Sequence, residues 1–142
     1  MGLLDAFKKK KKQENVNQTN MENPQKIDEL AQICGNDEET YVALVEVMFL
    51  DPRNIEVSLK EAVENAKKFE KAKDFANAAS WYKIAGGLAI YEGDVKKVVE
   101  YFSACEKYSH NKKFIILKNP EKAVEKAQEY YKKILPSKPL LQ

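Results

Sequence analysis

Apolar side chains recur along most of this chain at spacings of three and four residues, the period of a helix with one buried face. Leu59, Ala62, Val63, Ala66, Phe69 and Ala72 form such a stripe, and Ser58 with Glu61 three positions later is a capping box at its start. Past a Lys73-Asp74 turn, Phe75, Ala78, Ala79, Trp81, Tyr82, Ala85, Leu88 and Ala89 are apolar over more than one face, which predicts a central helix. Gly93 and Asp94 supply the next stop and start. Val95, Val98, Val99, Phe102 and Cys105 then mark the buried stripe of the following helix.

Upstream, Asn23 as N-cap and Pro24 at the first helical position predict a helix to about Cys34, ended by Gly35 in a left-handed conformation. Asn36 and Glu39 read as a capping-box-like pair that opens a helix over 37–50. Its apolar positions are Tyr41, Leu44, Val45, Val47, Met48 and Leu50, and Asp51-Pro52 is its stop. Downstream, Phe114, Ile115, Ile116 and Leu117 are either a continuation of the preceding helix after a break near His110-Asn111 or a separate turn. Asn119, Pro120 and Glu121 begin a last helix that carries Ala123, Val124, Ala127, Tyr130, Tyr131 and Ile134, and Pro136 and Pro139 end regular structure.

The pattern is nearly empty over 8–22, where Val16 is the one bulky apolar side chain, too little to offset the entropy of ordering. Three parts follow: a basic, largely disordered tether over 1–22 with a short amphipathic tip, one helical domain over 23–135, and an extended tail over 136–142. A length of 142 residues, 44% of them hydrophobic, suits one core, and 5 Gly and 5 Pro favour helices over short strands with tight turns. The fold class expected is all-α, an antiparallel helix-turn-helix stack.

The net charge of +2 hides an asymmetry, because Lys8 to Lys12 against Asp5 leave the first twelve residues at +4 and the rest at −2. A mildly acidic body disfavours nucleic-acid binding. In the tip, Leu3, Leu4 and Phe7 followed by Lys8, Lys9, Lys10, Lys11 and Lys12 suit an anionic membrane surface, each lysine contributing about 1 kcal/mol. A solubilising tail is the competing reading. Ala6 stands where a myristoylation site carries Ser or Thr, so a lipid anchor is not expected. The chain has no run of about 18 apolar residues, and the charge that follows the apolar tip argues against a secretory signal. A cytoplasmic location is expected, peripheral on the inner face of the membrane where the tip binds.

Nothing in the sequence points to catalysis. Cys34 and Cys105 are far apart, without a Cys-x-x-Cys or Cys/His cluster, so they read as reduced core residues. His110 lies between Ser109 and Asn111 and reads as a surface or hinge residue. No phosphate loop, nucleophile elbow or His-Glu-x-x-His pair is present, and Gly86-Gly87 reads as a site of close helix packing. No catalytic residue, metal or cofactor is expected. Trp81, Tyr82, Tyr91, Tyr101, Phe102, Tyr130 and Tyr131 are assigned mainly to the core rather than to base stacking. Lys67-Lys68 with Glu70-Lys71 reads as a solvated face.

Two successive hairpins share one grammar. Ala62, Ala66 and Phe69 precede Lys73-Asp74, and Ala78, Trp81, Tyr82 and Ala85 follow it. Tyr82, Ala85, Gly86 and Ala89 precede Gly93-Asp94, and Val98, Phe102 and Cys105 follow that. Small residues let helices approach closely and aromatics fill the gaps between hairpins. In this pattern the segment from Ser58 to Tyr108, about a third of the chain, resembles tetratricopeptide-type repeats. The run ENAKKFEKAKDFANAASWYKIAGGLAIYEGD is most similar to the longer-helix version in the soluble NSF attachment protein (SNAP) family. Its two turns stand twenty residues apart, longer than a standard half-repeat. A second resemblance is to the microtubule-interacting and transport (MIT) domain, a three-helix bundle. The first resemblance implies a right-handed helical array, and both imply a non-catalytic adaptor that binds another protein, as a helix or an extended peptide, in a groove between helices. The alternative is a structural subunit of a homo- or hetero-oligomer, assembled through an exposed apolar face of the last helix (Tyr130, Tyr131, Ile134, Leu135).

Overall fold

Short polar side chains set the helix starts in the computed structural model, which describes residues 24–48 and 51–135. The helices are α1 (Pro24–Cys34), α2 (Glu38–Val47), α3 (Leu59–Lys71), α4 (Phe75–Glu92), α5 (Val95–Tyr108) and α6 (Pro120–Ile134), with 3-10 turns at Pro52–Asn54 and Ile115–Lys118. There is no strand among the described residues, and the fold is an all-α stack of helices. Ser58 and Glu61 form the reciprocal capping box of α3. Asp74, Asp94 and Asn119 cap α4, α5 and α6 by accepting from Asn77, Lys97 and Lys122 N–H. Each satisfies a donor that the first helical turn leaves free.

The α3–α4 and α4–α5 connections close in the same way. Lys73 N–H donates to Glu70 O and Asp74 N–H to Phe69 O; Gly93 N–H donates to Ile90 O and Asp94 N–H to Ala89 O. Both turns therefore cover the last carbonyls of one helix and cap the next within two residues. The geometry needs a left-handed residue, Gly93 at φ 77° in one turn and Lys73 at φ 61° in the other.

Helix α4 is central, with α3 and α5 packed along it and α6 against both α4 and α5. The fully buried Ala62, Ala66, Ala78, Ala85 and Ala89 make the close helix approaches, and Phe102, Ile90 and Val98 fill the space between. From α6, the Gln128 side-chain amide donates to Ile90 O (2.7 Å) and Tyr91 O (2.9 Å), so α6 is locked onto the end of α4.

Helices α1 and α2 pack on α6 and the second 3-10 turn, not on α3, their successor in sequence. The stack is therefore not in chain order. A buried strip of Leu30, Cys34, Ala43, Leu44 and Val47 supports this hairpin. Ion pairs rim it, among them Glu29 with Lys133 (3.2 Å), Asp37 with Lys122 (3.0 Å), Glu39 with Lys118 (3.7 Å) and Glu46 with Lys112 (2.9 Å). Glu46 also accepts from Ile115 N–H, and Glu106 accepts from Phe114 N–H. These two carboxylates hold the start of the second 3-10 turn and seat Phe114 and Ile116 in the core. Residues 115–118 thus form a separate turn, one of the two alternatives open in the sequence.

Several expectations are corrected. The cap of α2 is Asp37, not Asn36, because the Asp37 carboxylate reaches both Thr40 N–H (3.0 Å) and Thr40 Oγ1 (2.8 Å). Helix α2 closes at Val47, with Met48 N–H bonded to Leu44 O, before the proline. Val45, Ala72, Phe75 and Val99, all assigned to apolar stripes, are exposed. Ala72 sits where the chain turns, and Val99 points away from α4. Tyr130 is buried and Tyr131, Ile134 and Leu135 are half-buried, so the last helix spends its apolar face within the fold and offers no large exposed patch.

Candidate functional site

Helices α3 and α5 both pack along α4, with few backbone approaches between each other, and side chains from all three meet near the end of α3. Glu70, on the last turn of α3, joins them. Its Oε1 accepts from Tyr82 Oη on α4 (2.8 Å) and its Oε2 from Tyr108 Oη on α5. One carboxylate thereby ties three helices together through two charge-assisted hydrogen bonds.

Around it runs a row of four aromatic rings. Phe75 stacks on Tyr108 (4.9 Å between centroids, planes 4° apart), and Tyr82 stacks on Tyr108 (6.4 Å) and Tyr101 (6.2 Å). Tyr82 and Tyr101 are buried, Tyr108 is half-buried and Phe75 is 42% exposed, so the row runs from core to surface. Lys107 Nζ lies 5.3 Å from the Tyr108 centroid.

The electrostatics hold Glu70 and its two phenol partners each in one charge state. The Tyr108 and Tyr82 hydrogen bonds hold the Glu70 carboxyl below its ordinary range, so it stays ionised. Burial, with the bond to Glu70, raises Tyr82, and the bond to Glu70 raises Tyr108, so both phenols remain neutral donors. Among the described residues no group of three or more His, Cys, Asp or Glu side chains could hold a metal ion. Cys34 and Cys105 are buried free thiols, raised chiefly by desolvation. His110 is exposed in the turn after α5.

Of the repeat-packing residues, Ala62, Ala66, Ala78, Tyr82, Ala85, Gly86, Ala89, Val98, Phe102 and Cys105 are buried, while Phe69 and Trp81 are half-buried. A Cβ on Gly86 would lie 2.5 Å from Phe102 Cε2, so that glycine permits the α4–α5 approach. Gly87 does not, since a Cβ there would meet nothing within 4 Å. Glu70, read from sequence as part of a solvated face, is the residue that sequence reasoning missed. Its partners lie 12 and 38 residues away, and no local spacing signals them. The membrane-contact candidates Leu3, Leu4, Phe7 and Lys8 to Lys12 lie outside the described residues, as do Asn23 and Leu50. Among the described residues no helix is long and apolar enough to cross a membrane.

Comparison of the chain with family models, curated proteins and solved structures finds no match.

Proposed function

We propose that this chain is a non-catalytic, cytoplasmic adaptor, a tetratricopeptide-like array of the SNAP type. It receives a partner helix or extended peptide across α3, α4 and α5 at the exposed Phe75. Its basic tip supplies weak, peripheral attachment to anionic membrane on the inner face. The observation that carries the reading is Phe75, a large ring exposed at the rim of an otherwise packed aromatic row beside an ionised carboxylate. Exposed aromatics next to fixed polar groups are favoured anchors for a partner.

A photocrosslinking phenylalanine analogue at position 75, in the full chain in its native cells, tests this. One discrete adduct from position 75 and none from the exposed Lys96 supports the reading; no adduct from a folded position-75 variant rejects it. Salt-sensitive co-sedimentation with anionic but not neutral vesicles tests the membrane clause. A second reading, a structural subunit without membrane contact, draws on Val42 and Val45 of α2, which are 47% and 51% exposed. It predicts a mass in solution that rises with concentration.

A further inference from the structure

Helix α2 is apolar on two sides. Ala43, Leu44 and Val47 are buried, while Val42 and Val45, one turn apart, face outward. Glu38, Glu39 and Glu46 stand four before, three before and four after Val42, so carboxylates flank the exposed valines at helical spacing. Glu38 is exposed, and the Glu39 pair with Lys118 is long and solvated. Glu46 is held by Lys112 and Ile115 N–H, so the carboxylates that face solvent beside the valines are Glu38 and Glu39. The surface asks for an occupant with a few large apolar groups followed by positive charge.

Residues 3–12 of the same chain have that composition in that order. We propose that the N-terminal tip docks on α2, with Leu3, Leu4 and Phe7 against Val42 and Val45 and Lys8 to Lys12 against the exposed Glu38 and Glu39. Reach is no obstacle. The helix and turn lengths place the valines at most about 40 Å from Pro24, whereas the sixteen residues 8–23 span about 50 Å when extended. A tether of that length gives an effective concentration on the order of millimolar, so a weak contact suffices. A second copy is the poorer occupant, because a two-fold contact would set one acidic flank against another. The docking does not depend on the membrane reading. It places the three apolar side chains on protein when no bilayer is present.

The test uses the full chain with Val42→Cys as a reporter, its thiol alkylated with iodoacetamide. Rates are compared with the same chain carrying Leu3→Ser, Leu4→Ser and Phe7→Ser, or with Lys8 to Lys12 changed to Gln. The expected result is alkylation about fivefold faster or more in both backgrounds, with the intact chain approaching them in about 0.5 M salt. Equal rates in all three chains overturn the proposal. Protection that vanishes on dilution identifies a second copy and also overturns it. Because the reporter itself removes one contact, amide shifts are compared between the unmodified chain and the Leu3→Ser, Leu4→Ser, Phe7→Ser variant. Changes centred on α2 support docking, and none there overturns it. Vesicle co-sedimentation is read separately, so failure of membrane binding and failure of docking are distinguishable.

Discussion

The α3–α4–α5 unit and the α1–α2 hairpin solve the same packing problem by different means. In the first, successive helices are joined by turns of three and two residues and held by alanines, Gly86 and Phe102, with Glu70 as a polar bridge. In the second, the hairpin reaches across the sequence to α6 through a narrow apolar strip rimmed by ion pairs. Burial of apolar surface is insensitive to salt, whereas exposed ion pairs are screened and contribute little each. The first unit is therefore expected to be the stable one and the second the part that opens first.

The largest effect should come from Gly86→Ala, which drives a methyl group into the Phe102 ring and is expected to cost about 1–3 kcal/mol in denaturant melts. Gly87→Ala, one residue along, should stabilise by about 0.5–1 kcal/mol, because it only removes glycine's backbone freedom. Equal effects of the two would break the close-packed account of the α4–α5 contact. Loss of the three-helix bridge in Glu70→Ala should cost about 1–2 kcal/mol, reduced by its partial exposure to water.

The turns offer a finer comparison. Lys73→Gly should stabilise by about 0.5–1 kcal/mol, since Lys73 occupies a left-handed conformation that glycine adopts freely. Gly93→Ala should destabilise by a similar amount, with a Cβ 3.3 Å from Gln128 Cδ adding to the strain. Thermal melts of the pair decide whether the two turns are energetically as alike as their hydrogen bonds.

The hairpin should respond to solution conditions. In native-state hydrogen exchange, α1 and α2 should lose protection before α4, and increasingly so in salt. The Thr40 N–H, then the Thr40 hydroxyl and Lys122, lower the Asp37 carboxyl from 3.8 to about 2. Its contribution is fully present above about pH 4 and is lost as pH falls toward about 2. Asp37→Asn should flatten that part of an acid melt of α1–α2 without altering α4; an unchanged acid profile would remove Asp37 from the hairpin's support.

Helix starts at Ser58, Asp74, Asp94 and Asn119 were legible because a cap and its partner lie within three residues of each other. The small-residue stripes of α3, α4 and α5 were legible for the same reason, being periodic along one helix. Much less of the Glu70 cluster could be read: Tyr82 and Tyr101 were assigned to the core, but Glu70 looked like one more surface charge. Val99 and Phe75 have the spacing of buried residues, yet periodicity states only which residues share a face, not whether another helix covers it.

By itself, then, the sequence determined the helical class, the starts of α3 to α6 and the two tight hairpins, since capping and amphipathic periodicity act over three to seven residues. Only the tertiary structure decided that α1–α2 closes onto α6, that Glu70 joins three helices and that the α2 valines face outward. Those outcomes depend on apolar surfaces and charges far apart in the chain competing for the same neighbours, and such a competition leaves no local pattern.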